Sequence, residues 1–252
     1  MFSLYLPQEI FGFLLVFSRL GSIFMVLPAL GETAVPIRVR LILALGVSLL
    51  IYVVVRTALP DLPATPLGIF MLIFREVVVG LLIGTAIRLI ASALHVAGTI
   101  IAMQTGLAVA QAFDPVQGAQ SALMGTFLTL VGTTLILVTD LHHMMILAMR
   151  DSYVLFPAGS DIKITDFAQQ VLDTVAGAFR LGVQIAMPFI VYGLIFNIGL
   201  GILARLMPQL QVFFIAMPLN IIMGFLIFLI VIGAAMAWFL EYMEKGIGQF
   251  LA

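Results

Sequence analysis

The residues of this chain with obvious chemical potential are few: three histidines, two of them adjacent, and a handful of charges in apolar surroundings. In "TDLHHMM", Asp140 and His143 stand three apart and so share nearly one side of a helix, with His142 beside them. Such a set could hold a metal ion or relay a proton. Zinc needs three or four converging ligands. The chain offers neither an HExxH motif nor a second histidine-rich helix, and His95 stands apart. The expectation is therefore a polar helix end near a membrane interface, with no metal and no cofactor. Ser18, Ser92 and Ser121 have no visible base, and no nucleophile elbow, glycine-rich phosphate loop or pair of catalytic carboxylates is present. The chain has no cysteine, which removes disulfides, thiolate nucleophiles and cysteine metal sites. Catalysis is not expected.

A second group of residues has the spacing of contact faces. Glu76, Gly80, Gly84 and Arg88 recur every four residues and share one helix face. Gly80 and Gly84 make a small-xxx-small pair, which lets another backbone approach closely. Glu76 and Arg88 lie about three turns apart, too far to pair with each other. Each charge therefore needs another partner or water at membrane depth. Gly193, Asn197, Gly201 and Arg205 repeat the design, and Asn220 and Gly224 form a shorter face. Two readings stay open: these faces dock against neighbouring subunits, or they pack within the chain.

The elements that carry these residues are membrane helices. Of 252 residues, 63% are hydrophobic and 9% charged; mean hydropathy is +1.25. A soluble domain has roughly 25% charged residues. The net charge of −1 gives no global field to attract nucleic acid or acidic substrates. Spanning a bilayer takes about 20 apolar residues. Candidate runs are Ile10–Leu30, Leu41–Val55, Leu67–Ile101, Leu123–Leu147, Leu181–Leu203 and Val212–Leu240. No basic residue precedes the first run, so it reads as a retained helix and not a signal peptide. Nothing stops a helix between Leu67 and Met103, a length of about 55 Å against a hydrocarbon core of about 30 Å. Asp166–Arg205 is similar, with Thr165 as its N-cap and Pro188 as a kink. Helices this long must tilt, kink or leave the membrane. Arg38, Arg40 and Arg205 fall on one side and Arg56, Arg150, Lys163 and Lys245 on the other, so basic residues do not orient the chain. There are no internal repeats, and residues 1–252 read as one domain.

One stretch breaks this pattern: "MQTGLAVAQAFDPVQGAQSALMG", Met103–Gly125. Asp114 is a helix N-cap, Pro115 fits the first helical position, and Gln117 completes a capping-box pattern. Before them, Gln104–Phe113 has no apolar face opposed by a charged one. Non-helical backbone at membrane depth survives only inside protein or beside water. A plug or gate loop is one reading; a re-entrant turn without a gating role is the other.

Taken in order, several blocks resemble the FliR family of flagellar export-gate proteins. They are "SRLGSIFMVLPALGETAVPIRVRLILALGVSLL", "REVVVGLLIGTAIRL", "AMQTGLAVAQAFDP", "LHHMMILAMRDSYVLFPAG" and "FNIGLGILARLMPQLQVFFIAMPLNIIMG". They span Ser18 to Gly224. The resemblance implies an all-α polytopic protein of the bacterial inner membrane and flagellar basal body. About six hydrophobic segments, some overlong and kinked, would form hairpins in a helical export-gate assembly. It implies a core complex with FliP and FliQ, action with FlhB and FlhA, and an entrance pore for unfolded flagellar proteins. The family's plug loop maps onto Gly106, Leu107, Ala108, Val109, Ala110, Gln111, Ala112 and Phe113, leading into Asp114 and Pro115. The alternatives are a self-contained transporter or channel using Glu76, Arg88 and Asp140, and an intramembrane enzyme. No inverted repeat favours the first, and no clustered catalytic groups favour the second.

Overall fold

The computed structural model describes residues 2–32, 35–108, 123–160, 164–207 and 212–251. They form helices and connecting turns, with no strand among the described residues. In chain order the helices are α1 (Phe2–Val26), α2 (Ile37–Val55), α3 (Pro66–Ala91), α4 (Ala93–Gln104), α5 (Leu123–Val138), α6 (Leu141–Leu155), α7 (Ile164–Leu206) and α8 (Val212–Gly248). A short 3-10 turn, Arg56–Ala58, follows α2. Five helical stretches are long and apolar enough to cross a membrane, and a sixth crossing arises if α5 and α6 count as one bent span. The chain is thus the all-α, multi-pass membrane protein that its composition indicates.

Local sequence explains where the helices begin and break. At the start of α3, Pro66 occupies the first helical position and the Thr65 hydroxyl accepts a hydrogen bond from the Gly68 N–H at 3.2 Å. The stretch from Pro66 to Gln104 is the overlong span of 39 residues that its apolarity suggests, with one turn residue, Ser92, in the right-handed helical region between α3 and α4. The run Leu123–Leu147 divides. α5 and α6 meet at a bend of 75°, and Asp140 sits there with φ +60°. Aspartate tolerates this left-handed conformation better than most residues, and the Asp140 carbonyl accepts from His143 N–H at 2.9 Å. A hydropathy average passes over two polar residues, Thr139 and Asp140, that the backbone uses to turn. α7 and α8, with 43 and 37 residues, reach about 65 and 55 Å. Pro188 and Pro218 lie inside them, each without a backbone N–H to donate.

The contacts gather the chain into two compact units. One comprises Met1–Ile90, Thr134–Thr174 and Met243–Ala252; the other comprises Ala91–Thr133 and Val175–Tyr242.

The first unit is organised around Arg19 of α1, which is fully buried. Its Nε lies 2.7 Å from Glu76 Oε2, and its Nη2 lies 3.1 Å from Glu76 Oε1. The same guanidinium donates to Ser152 O at 3.0 Å, Ser152 Oγ at 3.3 Å and Phe156 O at 2.9 Å. These five bonds match the five N–H groups of a guanidinium. The Tyr153 ring closes the site, its centroid 4.0 Å from the Arg19 carbon Cζ. Ser152 O, which also accepts from Phe156 N–H at 2.8 Å, and Phe156 O, just past the last turn, supply carbonyls from the end of α6. One side chain thus ties α1, α3 and α6 together. Arg75, beside Glu76, donates to Gly159 O at 3.0 Å and holds the turn after α6. At the other end of α1, the Gln8 side chain accepts from Leu62 N–H at 2.8 Å.

Close approach makes this geometry possible. A Cβ on Gly80 would overlap the carbonyl of Arg19 and the hydroxyl of Ser22, and one on Gly84 would press on Ile23 O and Val26 Cβ at 3.2 Å. The Gly80–Gly84 seam therefore lies against α1 of the same chain. Arg88, one turn further along the face, is exposed.

In the second unit, Phe189 and Phe228 lie at the centre, with ring centroids 6.4 Å apart, and Phe127 packs edge-on to Phe228 at 5.9 Å.

Two predictions follow from the first unit. Glu76→Ala strands a buried arginine and lowers stability by about 3–5 kcal/mol, whereas Arg19→Leu/Glu76→Leu together cost less; thermal unfolding of the detergent-solubilised chain measures both. Gly80→Leu destabilises the chain in the same assay. Gly46→Leu in α2, where no atom lies within 4 Å, leaves the unfolding temperature nearly unchanged.

Candidate functional site

The sequence points to the stretch after α4, and the structure shows how that stretch begins. α4 stops at Gln104 because two following residues supply its C-terminal cap. Thr105 N–H donates to Ile101 O at 2.9 Å, its hydroxyl donates to the same carbonyl at 2.9 Å, and Gly106 N–H reaches Met103 O at 3.4 Å. Gly106 has φ +75°, the left-handed conformation that ends many helices and that glycine adopts without a Cβ penalty. Leu107 and Ala108 are helical again. Within the described part of Gln104–Phe113, the expected departure from helix lies at Thr105–Gly106. Val109, Ala110, Gln111, Ala112, Phe113, Asp114 and Pro115, with the helix start expected at Asp114, lie outside the described residues.

Three of the stripe residues meet at this helix end. Asn220 of α8 donates from Nδ2 to Gln104 O at 3.2 Å. A Cβ on Gly193 of α7 would overlap Gln104 Oε1, and one on Gly224 of α8 would overlap the Thr105 methyl. A Cβ on Gly106 would stand 3.3 Å from Asn220 Nδ2. Thr105 is 1% exposed. α7 and α8 thus pack against the terminus of α4 at Gly193, Asn220 and Gly224 and bury Thr105, while Gln104 and Gly106 stay half-buried.

The far side of the stretch is fixed by a contact that periodicity did not single out. α4 and α5 cross at Gly98 and Gly125, where a Cβ on Gly98 would overlap the Gly125 Cα. The His95 ring lies beside this crossing, its Nδ1 3.1 Å from where a Gly125 Cβ would be. The available signal was glycine inside two apolar helices, Gly98 in α4 and Gly125, with Gly132, in α5.

The remaining stripe residues lie elsewhere. Asn197 Nδ2 donates to Gly193 O at 2.8 Å within its own helix. Asn197, Gly201 and Arg205 are exposed, and no atom lies within 4 Å of a Cβ on Gly201. Around them Ile195, Ile198, Ile202 and Leu206 are all more than half exposed. Among the described residues the α7 stripe therefore divides: its Gly193 end is covered and its Gly201 end is not.

Sequence reading missed Arg19. The usable signal was a single arginine within an apolar run, matched by a single glutamate in another, since opposite charges at membrane depth pair with one another. Asp140, His142 and His143 do converge, with donor atoms within 4.8 Å of one another and His143 Nδ1 3.5 Å from Asp140 Oδ1. These are the residues that could hold a cation. All three come from one stretch of four residues, and Asp140 and His143 are exposed.

Comparison with known proteins places this geometry in a family. Residues 10–246 match the family described as bacterial export proteins, family 1. The chain is 41% identical over 231 residues to the flagellar biosynthetic protein FliR of Caulobacter vibrioides, covering 91% of this chain and 92% of that protein. It is 32% identical to FliR of Aquifex aeolicus over 86% of this chain and 83% of that protein. It is 29% identical to FliR of Bacillus subtilis, covering 87% and 85%. Together with its multi-pass helical architecture, this agreement over almost the whole length shows that the chain belongs to the FliR family of bacterial export proteins.

Proposed function

We propose that this chain is a non-enzymatic subunit of the flagellar type III protein export gate in the bacterial inner membrane. Residues 1–252 act as one export-gate domain that builds, with FliP and FliQ, the pore crossed by unfolded flagellar proteins; FlhB and FlhA act with that complex. The observation that carries this reading is the match to flagellar FliR proteins across nine-tenths of the chain. Two structural features support it. α7 carries a long apolar end, Leu194–Leu206, that the described residues of the chain leave largely exposed, as befits a helix whose neighbours are other subunits. The helical run ending at Gln104 is stopped by Gly106 beside buried protein, a setting in which irregular backbone is tolerated at membrane depth. The segment that begins there, Gly106–Phe113 leading into Asp114–Pro115, serves as the plug of the pore. Asn197, Gly201 and Arg205 face a partner subunit.

Deleting Gly106–Phe113 in an otherwise assembled complex raises the leak of ions through membranes that contain it. Unchanged conductance in reconstituted bilayers removes the plug. Gly201→Leu reduces recovery of FliP and FliQ with this chain in mild detergent, while the yield of the chain itself is maintained. Solute transport by the purified chain alone would instead make it a self-contained transporter.

A further inference from the structure

We propose that Asp140, His142 and His143 form a binding site for a divalent cation of the zinc class at the bend between α5 and α6. The inference is independent of the plug reading above, since none of these residues belongs to the stretch after α4.

A backbone turn creates the cluster. α5 and α6 meet at 75°, and Asp140 stands at the joint with φ +60° and ψ +13°. An aspartate just before a helix commonly caps it through its carboxylate, yet here the carboxylate makes no capping hydrogen bond. Its Oδ1 lies instead 3.5 Å from His143 Nδ1, in the first turn of α6. The His142 ring lies alongside, its centroid 4.2 Å from that of His143 and the two planes tilted by 34°. One nitrogen from each imidazole and one carboxylate oxygen all lie within 4.8 Å of one another. Two ligands of a tetrahedral zinc ion, each about 2.0–2.2 Å from it, stand roughly 3.4 Å apart. Asp140 and His143 already have that separation, and a modest side-chain rotation brings in His142.

A second observation points to a ligand. His142 Nδ1 is shielded from water and has no hydrogen-bond partner among the described residues. A ring nitrogen satisfied by neither protein nor solvent is uncommon in a folded protein, and a bound ion is one of the few things that account for it. Neutral imidazole carries one lone pair on its ring nitrogens, and a cation between the rings uses it.

The donor set selects the ion. Two imidazoles and one carboxylate suit zinc and neighbouring divalent metals, whereas magnesium and calcium favour all-oxygen sites. The side chains of Asp140 and His143 are 73% and 66% exposed, which gives the ion an entry path and leaves water in the fourth position. The expectation of no metal rested on the lack of a second histidine-rich helix; the bend makes one stretch of four residues sufficient. The bound ion fixes the start of α6, the helix whose other end is held by Arg19.

The test uses the purified chain in mild detergent, stripped of metal with a chelator and carrying no histidine tag. Co²⁺ is the spectroscopic probe: it gives a visible d–d absorption band, which an equimolar amount of Zn²⁺ removes. In calorimetric titration, Asp140→Asn, His142→Gln and His143→Gln each weaken Zn²⁺ binding at least about tenfold, the lower end of what even a lost second-shell partner costs. His95→Gln, at the remaining histidine of the chain, leaves the titration unchanged. Absence of the cobalt band, or equal Zn²⁺ affinity in the wild type and in His142→Gln/His143→Gln, overturns the site. Where a variant fails to fold, labelling of the wild-type chain with diethyl pyrocarbonate decides. Zn²⁺ protects His142 and His143 but not His95, as read by mass spectrometry. Labelling unchanged by Zn²⁺, or equal protection of His95, overturns the proposal.

Discussion

A buried charge in a membrane protein must be answered at full strength, and in this chain Arg19 is answered more completely than any other group described. Its guanidinium meets Glu76, two carbonyls and a hydroxyl near the end of α6, and the Tyr153 ring. Burying an ion pair adds little net stability, because desolvation offsets much of the attraction. What it supplies is selection: α1, α3 and α6 can be assembled in one register only, since any other strands a charge. The glycines at 80 and 84 are subordinate to that pair, because a bulkier residue would hold α1 away from α3 and pull Arg19 out of reach of Glu76.

The same constraint, at lower charge, governs the end of α4. There the groups to be satisfied are backbone carbonyls, and Thr105, Gly106 and Asn220 satisfy three of them. A multi-pass inner-membrane protein of the flagellar export apparatus must interrupt a helix without exposing backbone to lipid. Here the interruption is packed against α7 and α8, which bury Thr105.

Much of this was legible beforehand, in proportion to how local the signal was. Composition and the spacing of apolar residues indicated an all-α membrane protein, because lipid imposes one secondary structure on almost any apolar run. They also indicated that Glu76 required a partner. They could not name Arg19, which lies 57 positions away, since periodicity describes a face and not what faces it. Gly193 and Gly224 were recognisable as contact points, yet their common target at Gln104–Thr105 exists only after three helices are brought together. The bend at Asp140 escaped notice for a different reason: it depends on one or two residues, which a hydropathy window averages away.

The crossing of α4 and α5 at Gly98 and Gly125 bears on how mechanical load moves through the protein. Most packed helices are separated by a cushion of side chains that can rearrange when pushed. Here main chain rests on main chain, and main chain has no rotamers to change. A tug on either helix is therefore handed to the other with little damping, and the pair behaves as one stiff lever. Compliance has to reside where the helical ladder is interrupted, at Ser92 before the crossing and at the glycine at position 106 after it.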